Sequence, residues 1–154
     1  MVALGLYAGL RCAEIAVLDG ADIHLHVTPP VLVVRDGKGA KDRVVPIRRP
    51  LVPLLRDAPR SGPVFPNHST GRSVKAKSVS AAIKRHLQAC EVDGVPHQLR
   101  HTFGTTAAQA AGGDLQAVAV AMGHGSLETT KGYAAFDGGR LAPMFERMDG
   151  GDAA

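Results

Sequence analysis

The chain has 154 residues, of which 45% are hydrophobic and 21% charged, a composition that fits one globular domain and excludes a disordered chain. Its apolar runs are shorter than the roughly 18 residues of a membrane helix, and its start lacks the basic residues of a secretory signal. Its two cysteines, Cys12 and Cys90, have neither metal-site spacing nor a disulfide framework. These features predict a cytoplasmic protein with no membrane partner.

The net charge of +4 is unevenly distributed along the chain. Residues 35–85 hold thirteen Lys or Arg against three Asp, a net charge of +10, whereas the segments before and after them carry −2 and −4. A middle third this basic favours a polyanionic partner, above all nucleic acid. A solvated basic face would give the same charge count, so charge alone leaves both interpretations open.

The first half of the chain predicts two short helices followed by a small antiparallel sheet. The apolar start is helical, and residues 11–18 again carry apolar side chains at helical spacing. Segments 24–27, 31–35 and 43–47 have strand patterns, and the Gly-rich turn between the last two places Lys38 at a hairpin tip.

The next segment predicts an amphipathic helix with Ser78 as its N-cap. Its apolar face consists of Val79, Ile83, Leu87 and Cys90. Lys77, Lys84 and Gln88 lie on the opposite face, which would lie against a nucleic acid if the basic charge binds one. The candidate nucleic-acid-binding residues are Lys41, Arg43, Lys75, Lys77, Lys84 and Arg85.

The last third also predicts helices. Pro96 suits the first position of a helix that ends at Gly112-Gly113, and Asp114 suits the N-cap of a helix over residues 115–122. Residues 138–154 form a C-terminal tail, helical around 140–148 and otherwise flexible. The expected fold class is therefore mainly α with a small antiparallel β-sheet, an α+β domain.

His97 and His101 are four residues apart on one predicted helix, a spacing that also occurs in zinc sites. Such sites usually carry Glu directly after the first His, and this chain has Gln98 there. His124 could supply a third ligand, but no carboxylate or cysteine stands at a suggestive spacing. The sequence therefore predicts no metal and no cofactor.

Arg11 and Arg100 are isolated arginines in segments that are otherwise apolar or acidic. Because a guanidinium binds phosphate oxygens in a planar, bidentate way, the two could form a phosphate site. An internal salt bridge, such as that of Arg11 with Glu14, explains each arginine better when each is considered alone.

Four short motifs decide between these interpretations when they are taken together. Each is weak alone, but they follow one another in a fixed order, and a tyrosine stands nine residues after the last motif's histidine. The motifs are Gly9-Leu10-Arg11-x-x-Glu14-Ile15 with Asp22-Ile23, Gly37-Lys38-Gly39-x-Lys41-x-Arg43-x-Val45-Pro46-Ile47, His97-x-Leu99-Arg100-His101-x-Phe103-x-Thr105, and Gly123-His124-x-Ser126-x-x-Thr129-Thr130-x-x-Tyr133. Over residues 3–148 this order closely resembles the catalytic domain of the tyrosine recombinase (phage integrase) family, particularly its Xer-like branch.

The resemblance implies the catalytic-domain fold of that family and an enzyme that breaks and rejoins DNA. Arg11 and Arg100 would clamp the non-bridging oxygens of the scissile phosphate, and His124 would donate a hydrogen bond to it. Glu14 matches an acidic position that buttresses the site.

The resemblance also assigns the covalent chemistry. Tyr133 would be the nucleophile that forms a 3′-phosphotyrosyl link, and His97 would help with proton transfer there. Lys38 would be the general acid for the leaving 5′-oxygen, with Lys41 on the same turn as its competitor for that role.

Residues 1–154 would then be a single, N-terminally truncated catalytic domain that lacks the family's core-binding domain. The implied partner is double-stranded DNA, bound by a homo-oligomer, a tetramer. Two alternatives remain: a type IB-like topoisomerase, which would relax DNA with similar residues, and a non-catalytic DNA-binding fragment of an integrase. The contexts of Lys38 and Tyr133 favour the recombinase over the topoisomerase.

Overall fold

The computed structural model describes residues 1–35, 42–123 and 141–151. Within these ranges the chain is mainly helical and contains one small sheet, which confirms the predicted fold class. The helices are α1 (Val2–Ala8), α2 (Cys12–Ala16), α3 (Val52–Leu55), α4 (Ala76–Ala89), α5 (Pro96–Ala110), α6 (Leu115–Ala121) and α7 (Ala142–Gly151). The strands are β1 (Ile23–His24), β2 (Val31–Val34) and β3 (Arg43–Pro46), and short 3-10 turns lie at Gly20–Asp22 and Arg49–Leu51.

The sheet is antiparallel, with the strand order β1-β2-β3. All four residues of β2 are buried, so both faces of the central strand are covered. Strand β1 is only two residues long, shorter than the segment 24–27 that the pattern predicted. The predicted turn that carries Lys38 lies outside the described residues.

The contact of α1 with α5 positions the segment that carries Arg11. Helix α1 ends at Gly9, whose φ of 64° is left-handed and whose N–H donates to the carbonyl of Leu4. A Cβ on Gly9 would lie 2.4 Å from Cδ1 of Phe103, because the α1 backbone approaches the α5 side chain closely there. Glycine is therefore required at this position by both conformation and space.

Helix α4 is amphipathic as predicted, but its start differs from the sequence prediction. Lys75 is the N-cap, and Ser78 already lies in the first turn, where its N–H donates to the carbonyl of Lys75 at 2.9 Å. The buried face ends at Leu87, because Cys90 stands beyond the last turn and is exposed.

Helices α5 and α6 begin where the sequence predicts. Pro96 is at the start of α5, and the Asp114 side chain caps α6 by accepting from the Ala117 N–H at 3.0 Å. Helix α6 is followed by Gly123, which has a φ of 67°. None of the helices in the described ranges is long and apolar enough to span a membrane.

Helix α7 occupies the region expected to be a tail with a helical piece around 140–148. Its apolar side chains are buried in the core against α5. They are Met144, Phe145 and Met148, preceded by buried Leu141. Arg48, which follows β3, binds Asp149 at 2.7 Å and thereby ties the sheet to this helix.

Candidate active site

The site is organised around Glu14, the third residue of α2. Its Oε2 accepts from the backbone N–H of Arg11 at 2.7 Å, which satisfies an N–H that the first helical turn leaves unpaired. Its Oε1 accepts from Nη1 of Arg11 at 2.9 Å. The carboxylate is therefore fixed to its own helix end, where the helix dipole also favours negative charge.

A second arginine, Arg43 of β3, binds the same carboxylate. Its Nη1 donates to Oε1 at 2.8 Å and its Nη2 to Oε2 at 3.0 Å, a bidentate pair. The Arg43 side chain is 8% exposed and that of Glu14 is 6% exposed. This geometry argues against the expectation that Arg43 contacts DNA, because the charge of its buried guanidinium is already paired with the carboxylate of Glu14.

Arg100 on α5 completes the cluster. It is buried, and its Nη1 and Nη2 donate to the carbonyls of Gly9 and Met122. Its Nη1 also lies 4.0 Å from Oε2 of Glu14. These contacts fix the guanidinium between the end of α1 and the end of α6.

The cluster carries net positive charge. Three guanidiniums surround one carboxylate, which leaves +2. Burial, together with repulsion from Arg11 and Arg43, lowers the pKa of Arg100 to about 10, although the attraction of Glu14 opposes this shift. Arg100 therefore stays charged at neutral pH. Burial alone would raise the pKa of Glu14, but the hydrogen bonds and charge of Arg43 and the hydrogen bonds of Arg11 lower it below its ordinary value. A positively charged site of this kind attracts an anion.

Arg11 differs from the other two arginines in its exposure. Its side chain is 42% exposed, whereas those of Arg43 and Arg100 are 8% and 5% exposed. One Nη is held by Glu14, so the guanidinium is oriented and still reaches solvent. Arg11 is thus the member of the cluster best placed to meet a ligand that arrives from solvent.

Two glycines shape the site and had no assigned role in the sequence analysis. Gly9 allows α1 to end against Phe103 and presents its carbonyl to Arg100. Gly123 lies against Arg43: a Cβ there would be 3.0 Å from Nη1 and 3.2 Å from Cδ. Both glycines stand inside the sequence motifs, just before Arg11 and His124, and this position is the signal that could have identified them.

His97 is exposed on the first turn of α5, one turn before Arg100. His101 is exposed on the same helix. The described ranges contain no group of three His, Cys, Asp or Glu side chains that could hold a metal. Lys38, Lys41, His124 and Tyr133 lie outside those ranges, so the structure tests neither their positions nor their roles.

The basic middle of the chain is divided between ion pairs with acids of the same chain and an exposed surface on α4. Arg35, Arg43 and Arg48 bind Asp22, Glu14 and Asp149, all of them acids from the flanking acidic segments. Part of the +10 charge is therefore neutralised within the chain, in buried pairs at Arg43 and Arg48 and at the surface for Arg35. The other predicted DNA-binding residues that the structure describes lie on or beside α4 and are exposed: Lys75, Lys77, Lys84 and Arg85.

Comparison with known families gives one match that spans most of the chain. The profile of the Phage integrase family matches residues 1–139. The chain belongs to the phage integrase family. This confirms the resemblance drawn from the four motifs.

Two curated relatives are Xer recombinases. Tyrosine recombinase XerA of Thermococcus kodakarensis is 36% identical in an alignment of 141 residues that covers 86% of this chain and 49% of that protein. Tyrosine recombinase XerC of Alcanivorax borkumensis is 33% identical in an alignment of 153 residues that covers 92% of this chain and 48% of that protein. The chain thus spans about half the length of the curated relatives it matches.

Solved structures of an integrase and of a recombinase share the fold. The integrase from mycobacterium phage Brujita superposes with a TM-score of 0.77 and 34% identity over 96% of this chain and 50% of that one. The XerH site-specific recombinase bound to palindromic difH substrate, a post-cleavage complex, superposes with a TM-score of 0.63 and 25% identity. That match covers 91% of this chain and 42% of the XerH chain.

Proposed function

We propose that this chain is the catalytic part of a site-specific DNA recombinase that cuts and rejoins strands through a 3′-phosphotyrosyl intermediate. The observation that carries the proposal is the cluster of Arg11, Arg43 and Arg100 around Glu14, with its net charge of +2. Its partner would be double-stranded DNA in the cytoplasm, bound by a homo-oligomer, a tetramer. The relatives named above, recombinases and an integrase, support this assignment.

In this mechanism the two arginines stabilise the charge that develops on the phosphate. Attack on a phosphodiester concentrates negative charge on the non-bridging oxygens, and preorganised donors meet that charge without reorganisation. Arg100 is preorganised by its two carbonyl contacts, and Arg11 by Glu14. His124 would add a third donor. Deleting a single donor of this kind typically costs about 3–4 kcal/mol of transition-state stabilisation.

Tyr133 and Lys38 would carry the bond making and bond breaking. Tyr133 would attack the phosphorus, displace the 5′-oxygen and form a 3′-phosphotyrosyl ester. A tyrosine hydroxyl with a pKa of about 10 is a poor nucleophile at neutral pH, so His97 and the cationic surroundings would assist its deprotonation. Lys38 would protonate the leaving 5′-oxygen. Rejoining is the reverse reaction, and because the ester conserves the bond energy, the cycle consumes no cofactor.

Covalent capture from a pool of DNA tests this proposal. The 154-residue chain is mixed with nicked duplexes of randomised sequence, and the adducts that survive denaturant are sequenced. Adducts enriched in one sequence support a site-specific recombinase. Adducts without sequence preference, together with relaxation of any supercoiled plasmid, would replace it with a type IB-like topoisomerase. DNA binding with no adduct would replace it with a non-catalytic fragment.

A further inference from the structure

Arg43 connects three parts of the site that are distant in sequence. It lies at the start of β3, holds Glu14 on α2, and packs against Gly123 at the end of α6. Gly123 directly precedes His124 in the sequence. A change at Arg43 would therefore affect both the carboxylate that orients Arg11 and the backbone that leads into the fourth motif.

The charge balance at Glu14 indicates what Arg43 contributes. Glu14 is buried, and a buried carboxylate is strongly destabilising unless cations and hydrogen bonds compensate its charge. The described cations that face it are Arg11, Arg43 and Arg100. If Arg43 were removed, the carboxylate would depend on Arg11 and Arg100 alone, and these are the two groups proposed to bind the phosphate.

We propose that Arg43 is a positioning residue: it holds Glu14 through both oxygens, so that Arg11 is oriented while Arg11 and Arg100 stay available for the scissile phosphate. This inference rests on the proposed function. It differs from a DNA-contact role, because the charge of Arg43 is paired with Glu14 through both Nη atoms, whereas the Nη atoms of Arg100 donate to neutral carbonyls. It also differs from a purely structural role, because it predicts that the protonation of Glu14 and the rate of cleavage change together.

The first arm of the test needs no DNA. The pKa of Glu14 is measured by NMR titration of its side-chain carboxyl carbon in the wild-type chain and in Arg43→Met. We expect a higher pKa in the variant, because the substitution removes two hydrogen bonds and the nearest cation. Arg56→Met, the same substitution at an exposed arginine beside α3, should leave the pKa unchanged. An unchanged pKa in Arg43→Met would overturn the proposal.

The second arm measures the rate of covalent adduct formation and the salt dependence of DNA binding. Residues that orient metal ligands typically contribute about 10–100-fold, and Arg43 would stand in a comparable outer position toward Arg11. We expect the single-turnover rate of Arg43→Met to fall by about that factor, and the acid limb of its pH profile to move to higher pH. The salt slope on a random duplex should stay unchanged. A slope lower by about one unit would indicate a direct phosphate contact and overturn the proposal.

Two further variants protect the test against misfolding. Arg43→Lys keeps the cation but loses the bidentate fork, so we expect a pKa of Glu14 and a cleavage rate between those of wild type and Arg43→Met. In the double variant Glu14→Gln/Arg43→Met, the carboxylate that Arg43 compensated is gone as well. The fold-loss of activity in the double variant should therefore be smaller than the fold-losses of the two single variants multiplied together. Two results together would contradict the proposal that Arg43 acts through Glu14. They are a wild-type cleavage rate in Arg43→Lys and a fold-loss in the double variant equal to the product of the two single losses.

The two proposals fail in different ways. If the wild-type chain forms no adduct, the proposed function fails, whereas the NMR arm still decides whether Arg43 sets the charge state of Glu14. If the wild-type chain is active and Arg43→Met forms the adduct at the wild-type rate, only the positioning role fails.

Discussion

Arg48 and Asp149 form an ion pair at 2.7 Å although they are 101 residues apart in the sequence. Arg48 also donates to the carbonyl of Met148, and its guanidinium lies 5.3 Å from the centre of the Tyr7 ring. The pair is nearly buried, with side-chain exposures of 3% and 11%. It therefore joins the end of β3 and the first helix to the last helix.

Removing the acid from this pair should destabilise the fold. Asp149→Ala removes the carboxylate that binds Arg48, and breaking a buried ion pair by removing one partner typically costs about 3–5 kcal/mol. Urea unfolding of the variant and the wild-type chain measures the difference. Glu146→Ala, an exposed position on the same helix, is the matched control and should change stability by less than about 0.5 kcal/mol. Equal effects of the two substitutions would show that the pair contributes nothing.

Gly9 should tolerate no side chain. Gly9→Ala combines the strain of a left-handed residue, about 1 kcal/mol, with an overlap on Phe103 that adds about 1–3 kcal/mol. Gly112→Ala has the same kind of backbone strain, with a φ of 58°, but no atom within 4 Å of the new Cβ. The difference between their free energies of unfolding isolates the contact with Phe103. A difference near zero would mean that α1 shifts away from α5 without cost.

Glu14 should contribute a pH-dependent part of the stability. Its pKa is lowered in the folded state, so its contribution is fully present above the ordinary value of 4.5 and is lost as the pH falls through the folded-state pKa. The wild-type chain should therefore lose more stability than Glu14→Gln between neutral and acid pH. Urea unfolding across that range gives the difference curve, in which the other carboxyl groups cancel. Parallel curves would contradict the lowered pKa.

The exposed face of α4 should carry part of the DNA affinity. Lys77→Ala/Lys84→Ala should lower the salt slope of binding by about one unit for each phosphate that the variant no longer binds, and should weaken all sequences alike. The binding itself should be weak and poorly specific, with a Kd of about 10⁻⁴–10⁻⁶ M at physiological salt. Salt titrations on a random duplex measure this, with Arg56→Ala/Arg60→Ala as an exposed control pair off the helix. An unaltered slope in the lysine variant would place the DNA elsewhere.

The sequence predicted the parts of the fold that depend on local pattern. The spacing of Val79, Ile83 and Leu87 identifies the buried face of α4, and Pro96 and Asp114 mark helix starts through local backbone chemistry. A helical period does not show where the helix ends, so the pattern places Cys90 on the buried face although it lies just beyond α4 and is exposed.

The environment of Arg43 could not be predicted in the same way. The motif included this residue, but its charge alone indicated a phosphate contact. Its burial depends on Glu14, which lies 29 residues earlier, and on Gly123, which follows α6. Tertiary packing decides which residues pair over such distances in the sequence. Neither the hydrophobic periodicity nor the charge count predicts these pairs. The same holds for Arg48 and Asp149.

The central claim is most directly tested by removing one oxygen atom. Tyr133→Phe deletes only the proposed nucleophilic hydroxyl, and Tyr7→Phe makes the identical change at the other tyrosine of the chain. Each protein is incubated with a nicked duplex recovered by covalent capture, and the adduct that resists denaturant is quantified. We predict no adduct and unchanged DNA binding for Tyr133→Phe, and a normal adduct for Tyr7→Phe. A normal adduct yield from Tyr133→Phe would contradict the assignment of Tyr133 as the nucleophile.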